Sequence, residues 1–323
     1  MMKILMGFGL SALGLYVAFK NLDLEQLAQS LTRIRVDWVL AAAFFTIFSV
    51  WIRGMRWRII LAPICDAATH HLFLATMIGY FGNGVLPMRA GEVIKAFVVS
   101  RLYPAAPLVG VLGTVVVERL LDMIGLALVC GLIMVSFETP PWFAWGTGGV
   151  IAVVVCGVAF LVAVSCLSAS RIERIGEAVT GRWGWAARPW ALLRSFVDGV
   201  STLHHSGKPG LIAIQTGVYW IFQWALMLTV AWAMDIPLGW MQAGTLLVGT
   251  MLAASLPSAP ANIGLYHAAA VVTMTAILGY PEPVAQAYAI LSHAVRVLLP
   301  TFLGGAVALV MSPSLPGLRA KSS

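Results

Sequence analysis

The apolar positions of this chain form long continuous runs, with no regular alternation of apolar and polar residues. The longest runs are residues 108–135, 146–167, 210–234 and 284–311. Each run exceeds the roughly 20 residues that a helix needs to cross a bilayer, whereas the strands of an outer-membrane barrel would alternate with period two. The pattern predicts an all-α polytopic membrane protein.

Helix-breaking and polar residues interrupt two further apolar segments. The first joint is residues 83–92 (NGVLPMRAGE) and the second is residues 256–264 (LPSAPANIG). Non-helical backbone at membrane depth is tolerated only where it is buried in protein or lines a wet cavity. Each joint therefore predicts a binding or permeation site, as in transporters that contain broken helices.

Composition agrees with a membrane protein. Of the 323 residues, 60% are hydrophobic and only 10% are charged, against about 25% charged residues in soluble domains. The net charge of +7 does not indicate a nucleic-acid partner, because the basic residues lie in short segments between the apolar runs. Short basic segments of this kind lie in the cytoplasm.

The distribution of Lys and Arg predicts the topology. The segments expected in the cytoplasm are Arg53, Arg56 and Arg58, residues 171–208, and the tail with Arg319 and Lys321. Residues 138–145 and 235–240 contain tryptophan but no Lys or Arg, so they are expected outside. No A-x-A cleavage site follows the apolar run at residues 4–19, so this run is expected to remain as a first helix, with both chain termini cytoplasmic.

These sides predict an inverted-topology repeat. The first split segment, residues 71–103, starts and ends inside, and the second, residues 241–278, starts and ends outside; each is either a re-entrant hairpin or a full pair of spans. The halves 37–167 and 210–311 then run in opposite directions within a single transmembrane domain over residues 1–323, joined by the amphipathic segment 171–208. Such repeats place a site where the two broken elements meet. Two unrelated pairs of short helices are the alternative.

Charged residues at membrane depth concentrate in the first half. Arg89, Glu92 and Lys95 follow the break at Pro87 with a spacing of three residues. Arg89 would lie at the N-terminus of a half-helix, where free N–H groups and the helix dipole bind an anion such as a lipid phosphate. A cluster of side chains that reach out to the cytoplasmic surface is the alternative.

A second group of charges interrupts the apolar run at residues 108–135. Glu118, Arg119 and Asp122 lie within one and a half helical turns, and each charge costs about 2.5–3.5 kcal/mol in a membrane helix unless it faces a partner or water. Arg119 reaches Asp122 at i+3. A binding site and a structural ion-pair network both remain open.

The second half contributes fewer polar candidates, which are Asn262, Tyr266, His267, His293 and Arg296. The membrane-depth cations Arg89, Lys95, Arg119 and Arg296 outnumber the carboxylates Glu92, Glu118 and Asp122 by one. An anionic head group would balance that charge. Each histidine is either a packed hydrogen-bonding group or a proton-transfer group.

Three ordered motifs resemble the lysylphosphatidylglycerol synthase transmembrane-region family. They are NGVLPMRAGE with Lys95, the Glu118-Arg119-x-x-Asp122 signature, and PSAPANIG followed by an aromatic residue. Members include the flippase part of the multiple peptide resistance factor and the hopanoid-biosynthesis-associated membrane proteins. The resemblance implies a protein of the bacterial inner membrane that moves, or helps to move, a lipid between leaflets, with Arg89, Glu92, Glu118, Arg119 and Asp122 in motif positions.

Two departures from the family pattern limit what the resemblance implies. His267 stands where many relatives have a glutamate after the second joint, so an acidic role is in doubt there. The aminoacyl-transferase domain of the bifunctional members is absent, so the chain is not expected to make lysyl-lipid itself.

The sequence therefore predicts a lipid transporter whose substrate is an aminoacylated or anionic phospholipid, a polyprenyl-phosphate glycolipid or a hopanoid. The expected substrate-binding residues are Asn83, Pro87, Arg89, Glu92, Lys95, Glu118, Arg119, Asp122, Asn262, Tyr266, His267, His293 and Arg296. No Walker A motif or metal-ligand spacing such as HExxH is present, so no cofactor or metal is expected. An intramembrane lipid-modifying enzyme and a scaffold subunit for an envelope-lipid synthase are the alternatives, and the oligomeric state is left open.

Overall fold

The computed structural model describes residues 2–86, 90–136, 140–165, 190, 208–256 and 258–311, and the regular elements within these ranges are helices. Four helices are long and apolar enough to cross a membrane, namely Val36–Leu61, Leu108–Ser136, Pro209–Ala233 and Glu282–Met311. The predicted all-α polytopic membrane fold is confirmed.

Seven helices lie in the described residues before position 166, and the first two of them precede the first half. They are α1 (Met2–Phe19), α2 (Leu24–Thr32), α3 (Val36–Leu61), α4 (Thr69–Val85), α5 (Gly91–Leu102), α6 (Leu108–Ser136) and α7 (Pro141–Ser165). The second half begins with α8 (Pro209–Ala233), α9 (Trp240–Ser255), a 3-10 turn (Pro260–Asn262) and α10 (Leu265–Val272). It ends with α11 (Glu282–His293), a π-helical turn (Ala294–Leu298) and α12 (Leu299–Met311), which together form one continuous helix.

Helix α3 is longer than the sequence pattern predicts. The apolar run ends at residue 52, but the helix continues to Leu61, so Arg53 and Arg56 are buried residues of a helix. That this end of α3 lies on the cytoplasmic side stays a prediction. Arginine is a good helix former, and carboxylates of α6 compensate both charges. Arg58 is exposed and pairs with Asp66 at 3.3 Å.

Helices α4 and α5 pack against each other as an antiparallel hairpin. The Asn83 side chain near the end of α4 accepts a hydrogen bond from the N–H of Gly91 at the start of α5, and His71 at the other end of α4 contacts Tyr103 just after α5. The two helices have 17 and 12 residues, fewer than the roughly 20 that cross a bilayer. These lengths fit a re-entrant hairpin better than two full spans, although the position in a bilayer stays a prediction.

The second joint has non-helical backbone, as the sequence predicts. Ala261 and Asn262 have φ of 57° and 55°, and Gly264 has φ of 90°. Glycine adopts that conformation without a steric penalty, whereas the other two residues do so at a cost that the surrounding contacts must offset.

The N-terminal helix α1 packs directly on the second joint. The N–H of Ala259 donates to the Ser11 hydroxyl at 2.8 Å, and Gly14 lies so close to Gly264 that a Cβ atom there would come within 2.7 Å of the Gly264 carbonyl carbon. Residues about 250 positions apart in the sequence therefore hold this joint in place.

The two halves meet along α3 and α8, which run antiparallel. At one end, the N–H of Arg35, just before α3, donates to the carbonyl of Ala233, the last residue of α8. At the other end, Arg56 of α3 donates to the hydroxyl of Thr216, near the start of α8. At the joints, α4 packs against α12 and against the 3-10 turn, with Gly84 next to Thr301. The tips of the two broken segments are therefore neighbours. The inverted-repeat relation and the division into halves stay predictions.

Candidate functional site: a buried ion-pair network

Seven charged side chains from three helices form one network in the first half. They are Arg53 and Arg56 from α3, Glu92 and Lys95 from α5, and Glu118, Arg119 and Asp122 from α6. The helices bring them together because α5 and α3 both pack against α6. The sequence predicted five of these residues as substrate-binding, and the structure brings those five together.

Glu118 is at the centre of the network and is fully buried. Lys95 Nζ lies 2.6 Å from Glu118 Oε2 and Arg53 Nε lies 3.0 Å from Oε1, while Arg56 Nη2 is 3.7 Å from Oε1. Three cations therefore surround one carboxylate. Because an unpaired charge is so costly away from water, Glu118 fixes α3 and α5 against α6.

Asp122 is held mainly by the two arginines of α3. Arg56 Nη2 lies 2.5 Å from Oδ1 and Arg53 Nη2 lies 3.1 Å from Oδ2. The predicted partner Arg119 is present, but at 3.6 Å it makes the longest of the three contacts. The i+3 contact between Arg119 and Asp122 that the sequence predicts is thus present, and Arg119 also turns toward α5, where it pairs with Glu92.

The network carries one positive charge in excess, since four cations face three carboxylates within it. Glu92 accepts a hydrogen bond from Arg119 through Oε1 and forms an ion pair with Lys95, whose Nζ lies 3.2 Å from Oε2. The Nε atom of Arg119 is buried and has no hydrogen-bond acceptor among the described residues. Arg53 Nη2 and Arg56 Nε are also buried without a hydrogen-bond acceptor among those residues. The Arg119 side chain is 35% exposed, however, whereas those of Arg53 and Arg56 are 4% and 0% exposed, so Arg119 is the most accessible arginine of the network.

Aromatic and hydroxyl groups hold the cations from the other side. The Tyr219 ring of α8 lies 5.5 Å from the Arg53 guanidinium carbon and 5.7 Å from that of Arg56. The Trp57 ring lies 4.8 Å from Lys95 Nζ. Cation–π contacts of this kind gain strength where water is excluded, so the second half of the chain, through α8, also supports the network.

A small polar cavity opens beside the network at the tip of the first hairpin. It is lined by Arg53, Thr76, Gly79, Tyr80, Asn83, Glu92, Lys95 and Arg119. The cavity has a volume of only about 20 Å³, which is room for one or two water molecules. A lipid head group would enter only after the surrounding helices move apart.

The polar residues predicted in the second half form a separate group at the second joint. His293 Nε2 lies 2.8 Å from the Ala261 carbonyl oxygen, and its ring centroid is 4.5 Å from that of His267 and 5.2 Å from that of Tyr266. Asn262 accepts from the Ser258 hydroxyl at 2.7 Å. These contacts support the packed hydrogen-bonding interpretation of the histidines.

Of the remaining predicted site residues, Arg296 lies in the π-helical turn, apart from both groups, and Pro87 and Arg89 lie outside the described residues. Sequence reasoning missed Arg53 and Arg56 as site residues. The signal that could have found them is their i, i+3 spacing, which puts both on one face of an apolar helix.

Residues 4–304 match the family described as the lysylphosphatidylglycerol synthase TM region. The chain belongs to this family. It is thus a multi-pass membrane protein of a lipid-related family, and five of the seven network residues, all but Arg53 and Arg56, lie in two of the three motifs that carry the resemblance.

A more distant relative is glycosyltransferase AglD of Haloferax volcanii. It is 26% identical over 316 residues, which cover 83% of this chain and 47% of the relative. The chain therefore spans about half the length of that protein. At this identity and coverage, the activity in the relative's name does not transfer to this member of the lysylphosphatidylglycerol synthase TM-region family.

Proposed function

We propose that this protein moves an amphipathic lipid, with an anionic or aminoacylated head group, between the leaflets of a bacterial inner membrane. The observation that carries the proposal is the buried network at the tip of the first hairpin, which has one positive charge in excess and borders a polar cavity. A head-group phosphate supplies the missing negative charge. The acyl chains remain in the bilayer while the head group crosses.

The narrowness of the cavity gives the proposal a mechanism. In the closed arrangement the Arg119–Glu92 pair occupies the space that a head group would need. A phosphate that replaces Glu92 as the partner of Arg119 leaves Glu92 on Lys95. Separation of the two halves along α3 and α8 then exposes the site to one leaflet at a time, as in other transporters with broken helices.

The relative's name supports a second candidate function. Glycosyltransferase AglD aligns with these membrane helices over about half of its length, so the chain is alternatively a module that binds or presents a lipid for glycosyl transfer, or itself modifies one. The two candidates differ in whether the lipid only changes leaflet or is chemically altered.

Purified protein in liposomes tests the proposal. Head-group-labelled phosphatidylglycerol, lysyl-phosphatidylglycerol and phosphatidylcholine are placed in both leaflets, and the label accessible to an external quencher is followed in time. We expect faster exchange of the first two lipids than in protein-free liposomes, and a loss of about tenfold or more in Arg119→Gln, because a charge-assisted contact contributes about 1.5–3 kcal/mol.

The matched control is Arg101→Gln, which removes an exposed arginine of α5 outside the network and should leave the rate unchanged. Lipid exchange equal to that of protein-free liposomes would refute the flippase proposal. Chromatography of the extracted lipids identifies the second candidate, which predicts a chemically altered lipid in the presence of a sugar donor.

A further inference from the structure

Arg296 differs from every other buried cation in the described part of the chain. Arg53, Arg56 and Lys95 each lie within 4 Å of at least one carboxylate. Arg296 has only 8% of its surface exposed, and no carboxylate of the described residues comes within ion-pair distance of it. Its guanidinium is therefore a buried positive charge without a counter-ion.

The contacts that Arg296 does make orient it without neutralising it. Its Nη1 donates to the Thr250 hydroxyl at 3.2 Å, and its Nη2 lies 3.3 Å from the sulfur of Met251. The Thr250 hydroxyl donates in turn to main-chain carbonyls of α9, so it presents a lone pair to the arginine. A hydroxyl and a thioether are weak acceptors for a full charge.

The backbone that carries Arg296 is also unusual. The π-helical turn Ala294–Leu298 interrupts an otherwise α-helical segment, and such single turns occur often at functional sites. The turn packs against both α3 and α4. The turn therefore lies at the junction between the halves, and the Arg296 guanidinium is held there against Thr250 and Met251 of α9.

Tyr219 of α8 shows that the second half also reaches the network, because its ring lies 5.5 Å from the Arg53 guanidinium carbon and 5.7 Å from that of Arg56. Arg296 contributes a further cation from the second half, held against α9 by Thr250 and Met251. An isolated buried cation with orienting neutral contacts is the arrangement expected of a site whose anion is the ligand.

We propose that Arg296 is a second oxyanion site, which binds the phosphate of the lipid on the second-half side of the junction. This inference rests on the proposed function, because it assigns the substrate's phosphate as the ligand. The chemistry of the site is that of a single phosphate or phosphodiester, for which the planar guanidinium offers two parallel donors.

The inference makes an uncommon prediction about stability. Removing one member of a buried ion pair destabilises a protein, whereas removing a cation that has no counter-ion relieves a cost. Without ligand, Arg296→Gln should therefore melt at the same temperature as the wild type or higher. Arg296→Lys keeps the charge and should melt close to the wild type.

The test measures melting temperature and binding on the full chain in a phosphate-free maltoside detergent. The probes are dioctanoyl phosphatidylglycerol and, separately, inorganic phosphate, and Arg101→Gln is the matched charge control. We expect Arg296→Gln to bind the responsible probe about tenfold or more weakly than the wild type, Arg296→Lys to be intermediate, and Arg101→Gln to be unchanged. Binding of the short-chain lipid alone assigns the site to a head group, and binding of both probes assigns it to the phosphate group itself.

Unchanged binding of both probes in Arg296→Gln would overturn the inference, and so would a lower melting temperature of the unliganded variant. The result is separable from the flippase proposal. A wild type that binds the lipid through Arg296 but does not exchange it between leaflets would refute transport and leave the site in place. If the wild type transports lipid and Arg296→Gln binds and transports it equally well, the site at Arg296 is refuted and the transport proposal stands.

Discussion

The two halves of this molecule treat polar groups inside the membrane in different ways. At the first joint, fixed charges neutralise one another: Glu118 alone contacts three cations. At the second joint, neutral groups satisfy the polar backbone by hydrogen bonding: His293 bonds to the Ala261 carbonyl, and the Ser11 hydroxyl accepts from the Ala259 N–H. Among the described residues of the second half, Arg296 is the one buried side chain with a full charge, and no carboxylate of the described residues pairs with it.

The difference teaches which polar groups build the fold and which are available to a ligand. Ion pairs that satisfy each other hold helices together and change little when a substrate arrives. Arg119 has a donor without an acceptor, and Arg296 donates only to neutral groups among the described residues. These two cations are therefore the ones that an anion can bind. Stability and binding are thus expected to separate by residue, and the following variants test that separation.

The largest loss of stability is expected from Glu118→Ala. The change leaves Lys95, Arg53 and Arg56 around a fully buried position that has lost its carboxylate, and breaking a single buried pair already costs about 3–5 kcal/mol. We expect a loss at or above the upper end of that range, seen as low yield and a lower melting temperature in detergent. A wild-type melting temperature would show that the network does not hold the first half together.

A smaller loss, of about 3 kcal/mol, is expected from Asp122→Ala, because its partners keep Glu118. The identity of the main partner is tested by rescue. Adding Arg56→Met should recover more of the melting temperature than adding Arg119→Ala, since Arg56 lies 2.5 Å from Asp122 and Arg119 lies 3.6 Å away. Equal or better rescue by Arg119→Ala would restore the pairing expected from sequence alone.

At the second joint, His293→Phe should cost only about 1–2 kcal/mol. The phenyl ring keeps the packing against His267 and Tyr266, while the Ala261 carbonyl loses one hydrogen-bond donor. The melting temperature should fall less than in Asp122→Ala. A fall as large as that of Glu118→Ala would mean that the two joints depend equally on polar contacts.

The opposite orientation of the halves can be tested without destabilising the protein. A reporter fused after Trp145 or Asp235 should be exported, while one fused after Gly181 or at Ser323 should stay in the cytoplasm, because the flanking segments differ in Lys and Arg content. A cytoplasmic reporter after Asp235 would contradict the inverted repeat.

Sequence alone predicted the membrane class, both joints and the charges of α6, because each depends on local composition. It could not place Arg53 and Arg56, since an arginine after an apolar run is typical both of a cytoplasmic boundary and of a buried pair, and only the facing carboxylates decide between them. Nor could it predict that α1 packs on the second joint, because the Ser11–Ala259 contact joins distant parts of the chain.

The central claim is that a lipid crosses where the two halves meet and that the halves must move apart for this to happen. Gly84 of α4 and Thr301 of α12 test it, because a Cβ atom on Gly84 would lie 3.1 Å from that of Thr301, a few tenths of an ångström below the roughly 3.5–4.5 Å of a disulfide. The variant Gly84→Cys with Thr301→Cys is made in a chain whose four native cysteines are replaced, with each single cysteine as a control.

The measurement is the rate of lipid exchange between leaflets in liposomes, recorded for the same preparation before and after reduction. The account predicts that the oxidised double variant does not exchange lipid, that reduction restores the rate of the cysteine-free protein, and that the single-cysteine controls respond to neither treatment. An oxidised, fully cross-linked protein that exchanges lipid as fast as the reduced one would contradict it.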